Sequence, residues 1–439
     1  MTKKRIALTG AALGLASVVA HGQSTAQLQV EVQKAQAAAA QAQDAAKQAQ
    51  AALQQALDAA ARARQDAAAT AAAAPSPAAG GPLTVSSGAN SATLYGLIDI
   101  TLVTKDHADA AGNRLTTPPV SWFSGNRWGL TGQHVASGDL SVIFRLESEF
   151  ESQTGEMDTP GNLFNRDAWL GVQSKSLGKL TIGRQNALAR DPAGSAVYGD
   201  PYGPAKANLD EGGYTNNNNF KQMIFYAGSA TGTRYDRGVV WKKAFDRVVA
   251  GLGYQFGDVP GSFNTGSTKT GTLAYNGDHF TVAGFLTDAN IANLQHRTQS
   301  IGGNVQVTPL VRLNAGYFHY TAEQGGHFGD RKDNAWTVST KLTPAGAFDY
   351  ELGYQVMRAH NAGTAGGFVQ NAYSDTSGIT GVASGDRKTL YGSAFYHLDK
   401  VTEFYLAADH LSTTGTYLAA QAHGFKTQTE FGVGMRYRF

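Results

Sequence analysis

A chain of 439 residues with no Cys, 52 Gly, 10% aromatics and a mean hydropathy slightly below zero is not a bundle of membrane helices. Such a bundle needs apolar runs of about 18 or more residues, and none exists after the N-terminal stretch. The absence of Cys fits passage through an oxidising periplasm. The formal net charge of +2 includes Lys3, Lys4 and Arg5, so the remainder carries −1, which argues against a nucleic-acid-binding surface.

Residues 1–22, MTKKRIALTGAALGLASVVAHG, join a basic start, an apolar run from Ile6 to Ala20 and small residues at Ala20 and Gly22. That order predicts a secretory signal cleaved near Gln23. Residues 23–74 are almost only Ala, Gln and a few charges. Within them a 4-3 spacing runs from Leu28 and Val32 through Ala46 and Leu53 to Thr70, and no Gln, Lys, Arg, Asp or Glu falls on that seam. The pattern predicts an α-helical coiled coil, a rod of roughly 70 Å at 1.5 Å per residue. An Ala seam is thin, so the rod is expected to assemble only where the following segment holds its copies close together. Pro75, Pro77, Gly80, Gly81 and Pro82 predict a flexible linker over 75–91, and a second domain over 92–439.

That domain is a succession of segments with period-2 patterning. Leu140 to Glu151 sets Leu140, Val142, Phe144 and Leu146 against Arg145, Glu147, Glu149 and Glu151, and Phe348 to Val356 sets Phe348, Tyr350 and Leu352 against Asp349, Glu351 and Gly353. So many carboxylates cannot line a dry core unpaired, so the second face must be wet. Strands are predicted over 92–103, 121–132, 139–151, 164–174, 178–185, 234–244, 246–257, 268–276, 279–288, 297–308, 310–321, 332–343, 347–359, 386–397, 401–412 and 427–439. Tight turns at Ala244 to Asp246, Asn276 to Asp278, Thr308-Pro309 and His397 to Lys400 alternate with longer connections. The fold class is therefore a 16-stranded antiparallel transmembrane β-barrel, preceded by the helical coiled-coil segment.

The last strand closes the case for lipid on the apolar face: Phe431, Val433, Met435, Tyr437 and Phe439 alternate with Glu430, Gly432, Gly434, Arg436 and Arg438. The ending FGVGMRYRF resembles the C-terminal strand of Gram-negative outer-membrane porins. With SATLYGLIDI, GNRWGLTG, LSVIFRLESEF and LFNRDAWLGVQSKSLGKLTIGRQ in order, the domain resembles the general porins of the beta-proteobacterial branch. The resemblance implies that Phe439 is part of an assembly signal, that the chain is a homotrimer, and that the loop at about 186–233 folds into the barrel and narrows it. The N-terminal rod departs from the family pattern.

On that resemblance the loop supplies Arg190, Asp191, Asp200, Lys206, Asp210 and Glu211 to the constriction, facing Arg127, Arg166 and Arg234 on the wall. Parity supports Arg127, which shares a face with Gly129 and Thr131. Around Arg166 parity is ambiguous, because Asp167 and Trp169 fall on the opposite face and only the family match carries it. Arg145, Glu147, Glu149 and Arg436 complete the expected lumen wall. The eleven His are scattered, and no residues have the spacing of a metal site, a P-loop or a nucleophile motif, so no enzyme, metal or cofactor is expected.

The resulting expectation is an outer-membrane porin for passive diffusion of ions and small hydrophilic solutes. It sits in outer-membrane lipid and lipopolysaccharide, with the helix in the periplasm, reaching peptidoglycan through the coil. The alternatives are a substrate-specific channel, for example for small organic anions, and a structural barrel that tethers the wall. A trimeric adhesin also joins a coil to a barrel, but contributes only a few strands per chain. Because the rod and the barrel are separate segments, deletion of Ser24 to Ala74 is expected to leave single-channel conductance nearly unchanged. A large drop in the purified protein would show that the two do not act separately.

Overall fold

The computed structural model describes residues 82–191 and 225–439, together with Gln33, Lys47, Ala51, Gln54, Gln55 and Asp58. Those six are helical and exposed, and Gln54 Nε2 donates to Asp58 Oδ1 at 3.0 Å, one turn on. The predicted signal over 1–22 and the remainder of the predicted coil over 23–74 lie outside the described residues. The chain divides into two compact units, Met1–Ala79 and Gly80–Phe439.

The second unit holds nineteen strands among the described residues: β1 Leu83–Ser87, β2 Asn90–Lys105, β3 Leu115–Val120, β4 Asn126–Ser137, β5 Leu140–Phe150, β6 Asp167–Ser174, β7 Gly178–Asn186, β8 Arg234–Phe245, β9 Val248–Gln255 and β10 Thr268–Asn276. They continue as β11 Phe280–Ile291, β12 Leu294–Thr308, β13 Val311–Ala322, β14 Arg331–Leu342, β15 Phe348–Ala365, β16 Phe368–Val369, β17 Gly381–His397, β18 Thr402–Thr413 and β19 Thr427–Arg438. Each main strand pairs antiparallel with its neighbour, and β19 pairs with β2 from Glu430↔Lys105 to Arg438↔Leu97. The ring is thus a closed barrel of sixteen strands, with β1, β3 and β16 as short additions. Sixteen strands leave a lumen too wide for side chains alone to fill.

The alternation sorts the faces as in a membrane barrel. Leu252, Leu286 and Ile301 point outward and are 60–63% exposed, whereas Asp99, Thr101 and Gln355 point inward and are fully buried. Aromatic pairs ring both rims: Tyr275–Phe280 at 5.8 Å and Phe348–Tyr396 at 5.1 Å near the short turns, Tyr254–Phe256 at 4.9 Å near the long loops. Short turns such as Gly138-Asp139 and Asp246-Arg247 gather on one rim, which is the periplasmic side of such barrels. At the first, the Ser174 hydroxyl and the Ser176 amide donate to Asp139 and hold its carboxyl below the usual carboxylate range.

The structure corrects the expected strands at three places. The predicted linker contains β1, which pairs with β2 from Leu83↔Leu94 to Ser87↔Asn90. The second predicted strand, 121–132, begins at Asn126 instead, and residues 121–125 leave the wall between β3 and β4. The long connection expected between 288 and 297 is a two-residue hairpin, Ala292-Asn293, with φ of 50° and 67°. Positive φ at both positions is the geometry that matches the twist of paired strands, and tertiary pairing imposes it here on an Ala that does not advertise it.

Phe439 closes the seam. Its amide donates to Gly96 O at 3.1 Å and its carbonyl accepts from Gly96 N at 2.8 Å. Its ring lies where a side chain at 96 would stand, and stacks on Tyr437 with centroids 6.1 Å apart. Phe439→Ala removes the ring from the outward face, and Gly96→Val collides with it. Both are expected to lower the yield of heat-modifiable barrel in the outer membrane, and an unchanged yield in both would separate the terminal Phe from assembly.

Candidate functional site

The densest chemistry in the lumen lies on β4 to β8. The inward parity of β4 and β5 sets Arg127 opposite Glu149 and Thr131 opposite Arg145, and β6 sets Asp167 opposite Glu147 and Trp169 opposite Arg145. Facing side chains on adjacent strands are close enough to interact directly. Arg166 pairs with both Glu147 and Glu149. Arg145 Nη1 is 3.9 Å from Asp167 Oδ2, and Arg234 Nη2 is 4.0 Å from Glu149 Oε2. Tyr95 donates to Glu147 Oε2 at 2.8 Å. The expected wall residues Arg127, Arg145, Glu147, Glu149, Arg166 and Arg234 therefore converge.

Asp167 and Trp169 are lumenal, against the expectation that they share the face opposite Arg166. The reason is local: Arg166 precedes the first residue of β6, so it stands outside the alternation and two consecutive residues both reach the lumen. Trp169 then receives Lys179 Nζ at 4.8 Å and the Arg145 guanidinium at 5.9 Å from its ring, and Arg145 also lies 5.8 Å from the Tyr95 ring. A desolvated cation on an aromatic face is worth up to about 2 kcal/mol.

The loop after β7 turns inward at both described ends. Leu188–Arg190 forms a 3-10 turn buried inside the barrel, and a side-chain carbon at Gly251 would meet Leu188 Cδ1 at 3.1 Å. The glycines on the inner face of β9 thus admit the loop. At the other end Tyr226 is 1% exposed, donates to Asp333 Oδ2 at 2.9 Å and packs 5.9 Å from the Phe318 ring. Arg190 donates to Asn186 Oδ1 at 2.9 Å. Asp191 does not face the three wall arginines; it pairs with Lys242 on β8, which the sequence reading did not nominate. Asp200, Lys206, Asp210 and Glu211 lie outside the described residues. The carboxylates that do meet the arginines are Glu147, Glu149 and Asp167, on the wall itself. Arg127, Arg145, Arg166, Arg190 and Arg234 set five guanidiniums against those three carboxylates, so the described part of the site is net positive.

A second inward element comes from residues 121–125. Asp99 Oδ2 accepts the Phe123 amide at 3.0 Å and the Ser124 amide at 2.9 Å, and Tyr405 donates to Asp99 Oδ1. Trp122 is 2% exposed and occupies the space where a side chain at Gly432 would stand. Phe123 packs between Phe395, at 4.7 Å, and Tyr405, at 4.8 Å. Arg436 lies inward as expected, 5.6 Å from the Phe123 ring, and pairs with Glu403. Asp99 takes the inward parity of β2, and a carboxylate at that position is the sequence feature that marks this shelf.

The Gram-negative porin family matches this chain over residues 56–416. A 151-residue stretch is 33% identical to an outer membrane porin protein of Bordetella pertussis; it covers 31% of this chain and spans only 38% of that relative. The fold is similar to the anion-selective porin from Comamonas acidovorans, with a TM-score of 0.61 and 18% identity over 80% of this chain and all of that one. It is also similar to OmpT of Vibrio cholerae, with a TM-score of 0.54 and 14% identity over 81% of this chain and all of the other.

Phe123→Ala trims the shelf without breaking its hydrogen bonds and is expected to raise single-channel conductance. Asp99→Ala leaves the Phe123 and Ser124 amides unmade, at roughly 1–3 kcal/mol for each buried group. It should lower barrel stability and add current noise. Wild-type conductance and noise in both variants would place the shelf outside the conducting path.

Proposed function

We propose that this chain, which belongs to the Gram-negative porin family, forms a water-filled outer-membrane channel for passive diffusion of ions and small hydrophilic solutes, that it does so as a homotrimer, and that it favours anions. The observation that carries the channel reading is the closed barrel with a charged lumen, and the anion preference rests on its wall, where among the described residues Arg127, Arg145, Arg166, Arg190 and Arg234 outnumber Glu147, Glu149 and Asp167. Charges in a narrow, low-dielectric passage focus the field and raise the local concentration of the opposite ion. The similar Comamonas porin, which its name calls anion-selective, points the same way.

A narrower reading is favoured by the Tyr95, Arg145, Trp169 and Lys179 stack: planar organic anions would meet both a cation and an aromatic face there. Block of the chloride current by a small aromatic carboxylate would separate this from general diffusion. The N-terminal segments fit a cleaved secretory signal followed by a periplasmic coil that touches peptidoglycan. Constriction roles for the loop residues Asp200, Lys206, Asp210 and Glu211 are part of the same proposal.

Replacing Arg127, Arg166 and Arg234 by Glu reverses three charges where field lines converge, so the reversal potential in a KCl gradient should move strongly toward cation preference. The single Arg127→Gln variant should move it part of the way. The shift should shrink between 0.1 M and 1 M salt, where the screening length falls from about 10 Å to about 3 Å. If the triple variant moves the potential no further than a change at the exposed loop residue Asp330, the arginines do not set selectivity.

A further inference from the structure

Over β11 to β15 the inner face near the long-loop rim is apolar, with Phe285, Ile291, Phe318, Ala322 and Ala359 all buried. The two-residue hairpin Ala292-Asn293 carries no loop of its own to cover that face. The connection from β16 to β17 covers it instead. Within this connection Ala372, Tyr373, Thr376 and Ile379 are buried, and a side chain at Gly325 would collide with the Ser377 backbone. The Arg331 guanidinium donates to Gln370 O at 2.7 Å, Tyr373 shares a 2.9 Å hydrogen bond with Thr298, and the Gly325 amide donates to Thr376 O at 3.0 Å.

The polar centre of this contact is His296, fully buried on β12. Its Nδ1 lies 2.7 Å from the Tyr320 hydroxyl and its Nε2 lies 3.4 Å from Thr376 Oγ1. The neighbours fix the tautomer. Thr376 donates its proton to Glu323 O at 2.8 Å, so its oxygen is left to receive Nε2–H. Nδ1 is then bare and accepts from the Tyr320 hydroxyl, whose oxygen takes the Tyr373 amide at 3.0 Å. The chain of hydrogen bonds closes only around a neutral ring. A second proton, on Nδ1, would set two donors face to face and place a charge near Arg331, whose guanidinium lies 5.4 Å from the Tyr320 ring. Among the described residues no carboxylate is paired with the ring: Asp333 receives Arg331 and the Tyr226 hydroxyl, Glu323 receives the Gln295 amide, and Asp375 receives the Ser377 amide at 2.8 Å. A buried charge without a partner is expensive.

We propose that His296 is a positioning residue for passage through the channel: its neutral ring holds residues 371–380 inside the lumen as a second constriction, and its protonation releases them. The proposal rests on the channel reading and goes beyond it. Release of the segment opens the ring to lumenal water, where it takes the proton freely, so the released state binds one proton more and gains as pH falls. The passage is therefore narrower at neutral pH and wider in acid.

The test follows the full-length protein from about pH 7 to about pH 5, the window in which imidazole charges. In detergent, amide exchange at Tyr373 and Gly325, corrected for the pH dependence of exchange itself, should lose protection about tenfold per pH unit on the acid side, the slope for one proton. In planar bilayers, single-channel conductance should rise over the same window. His296→Gln keeps a donor and an acceptor without a titrating group, so its protection and conductance should hold at their neutral-pH values throughout. His296→Ala should show the wide channel at both ends of the window, and Thr376→Val, which removes the acceptor for Nε2–H, part of that widening; retained heat-modifiability shows that each variant is folded. An equal slope of protection in the wild type and His296→Gln gives the acid response to another group and overturns the proposal. So does wild-type conductance in His296→Ala at both ends of the window, which places the segment outside the conducting path. The exchange measurement needs no current, so its outcome is separate from that of the channel reading.

Discussion

Hydrocarbon offers no partner to a backbone amide, and that constraint governs the rest of this molecule. A sheet with a free edge would leave a row of unpaired N–H and C=O groups in lipid, so the sixteen strands must close. Closure falls on one seam, β19 against β2, continued by the two hydrogen bonds between Phe439 and Gly96. Once the ring is closed, the period of 2 sends every second residue to lipid and every second to the lumen. Within the wall the apolar and polar faces are inverted relative to a water-soluble protein, with Leu252, Leu286 and Ile301 exposed and Asp99, Glu147 and Arg331 buried.

Burial of those charges sets the next requirement. A carboxylate withdrawn from water without a partner is expensive, and removing one member of a buried pair commonly costs about 3–5 kcal/mol. The inner wall accordingly builds compensated networks: Arg166 with Glu147 and Glu149, Arg331 with Asp333, and Glu403 with Arg436 and Arg438. The same networks position function, because an arginine fixed by two carboxylates presents its charge at a defined place.

Inward apolar positions mark where loops enter. Phe318 and Tyr320 on β13 and Met357 on β15 break the rule that the lumen side is polar, and they receive Tyr226 and Tyr373 from the loops. Tyr373 donates its amide to the Tyr320 hydroxyl at 3.0 Å and shares a 2.9 Å hydrogen bond with Thr298. Glycines do the same by omission: Gly251 and Gly253 on the inner face of β9 and Gly432 on that of β19 leave seats for Leu188 and Trp122. The lumen is therefore shaped by segments that leave the wall as much as by the wall itself.

Most of the barrel is determined by the sequence alone, because its signal is local. Alternation such as that of Phe348 to Val356 recurs along the ring, since the wall must separate lipid from water, and the tight turns at Asn276 to Asp278 and His397 to Lys400 carry residues that suit them. The inward direction of Arg127, Arg145, Glu147, Glu149 and Arg436 follows from the same parity. What only the tertiary structure decided depends on partners far apart in the chain. Asp191 meets Lys242 rather than an arginine, Asp99 captures the amides of a segment more than twenty residues later, and Arg166 escapes the alternation because β6 starts one residue after it. No local period encodes such pairings. They arise because closing the ring brings distant inner faces around one lumen, where each buried charge must find whichever opposite charge the register places beside it.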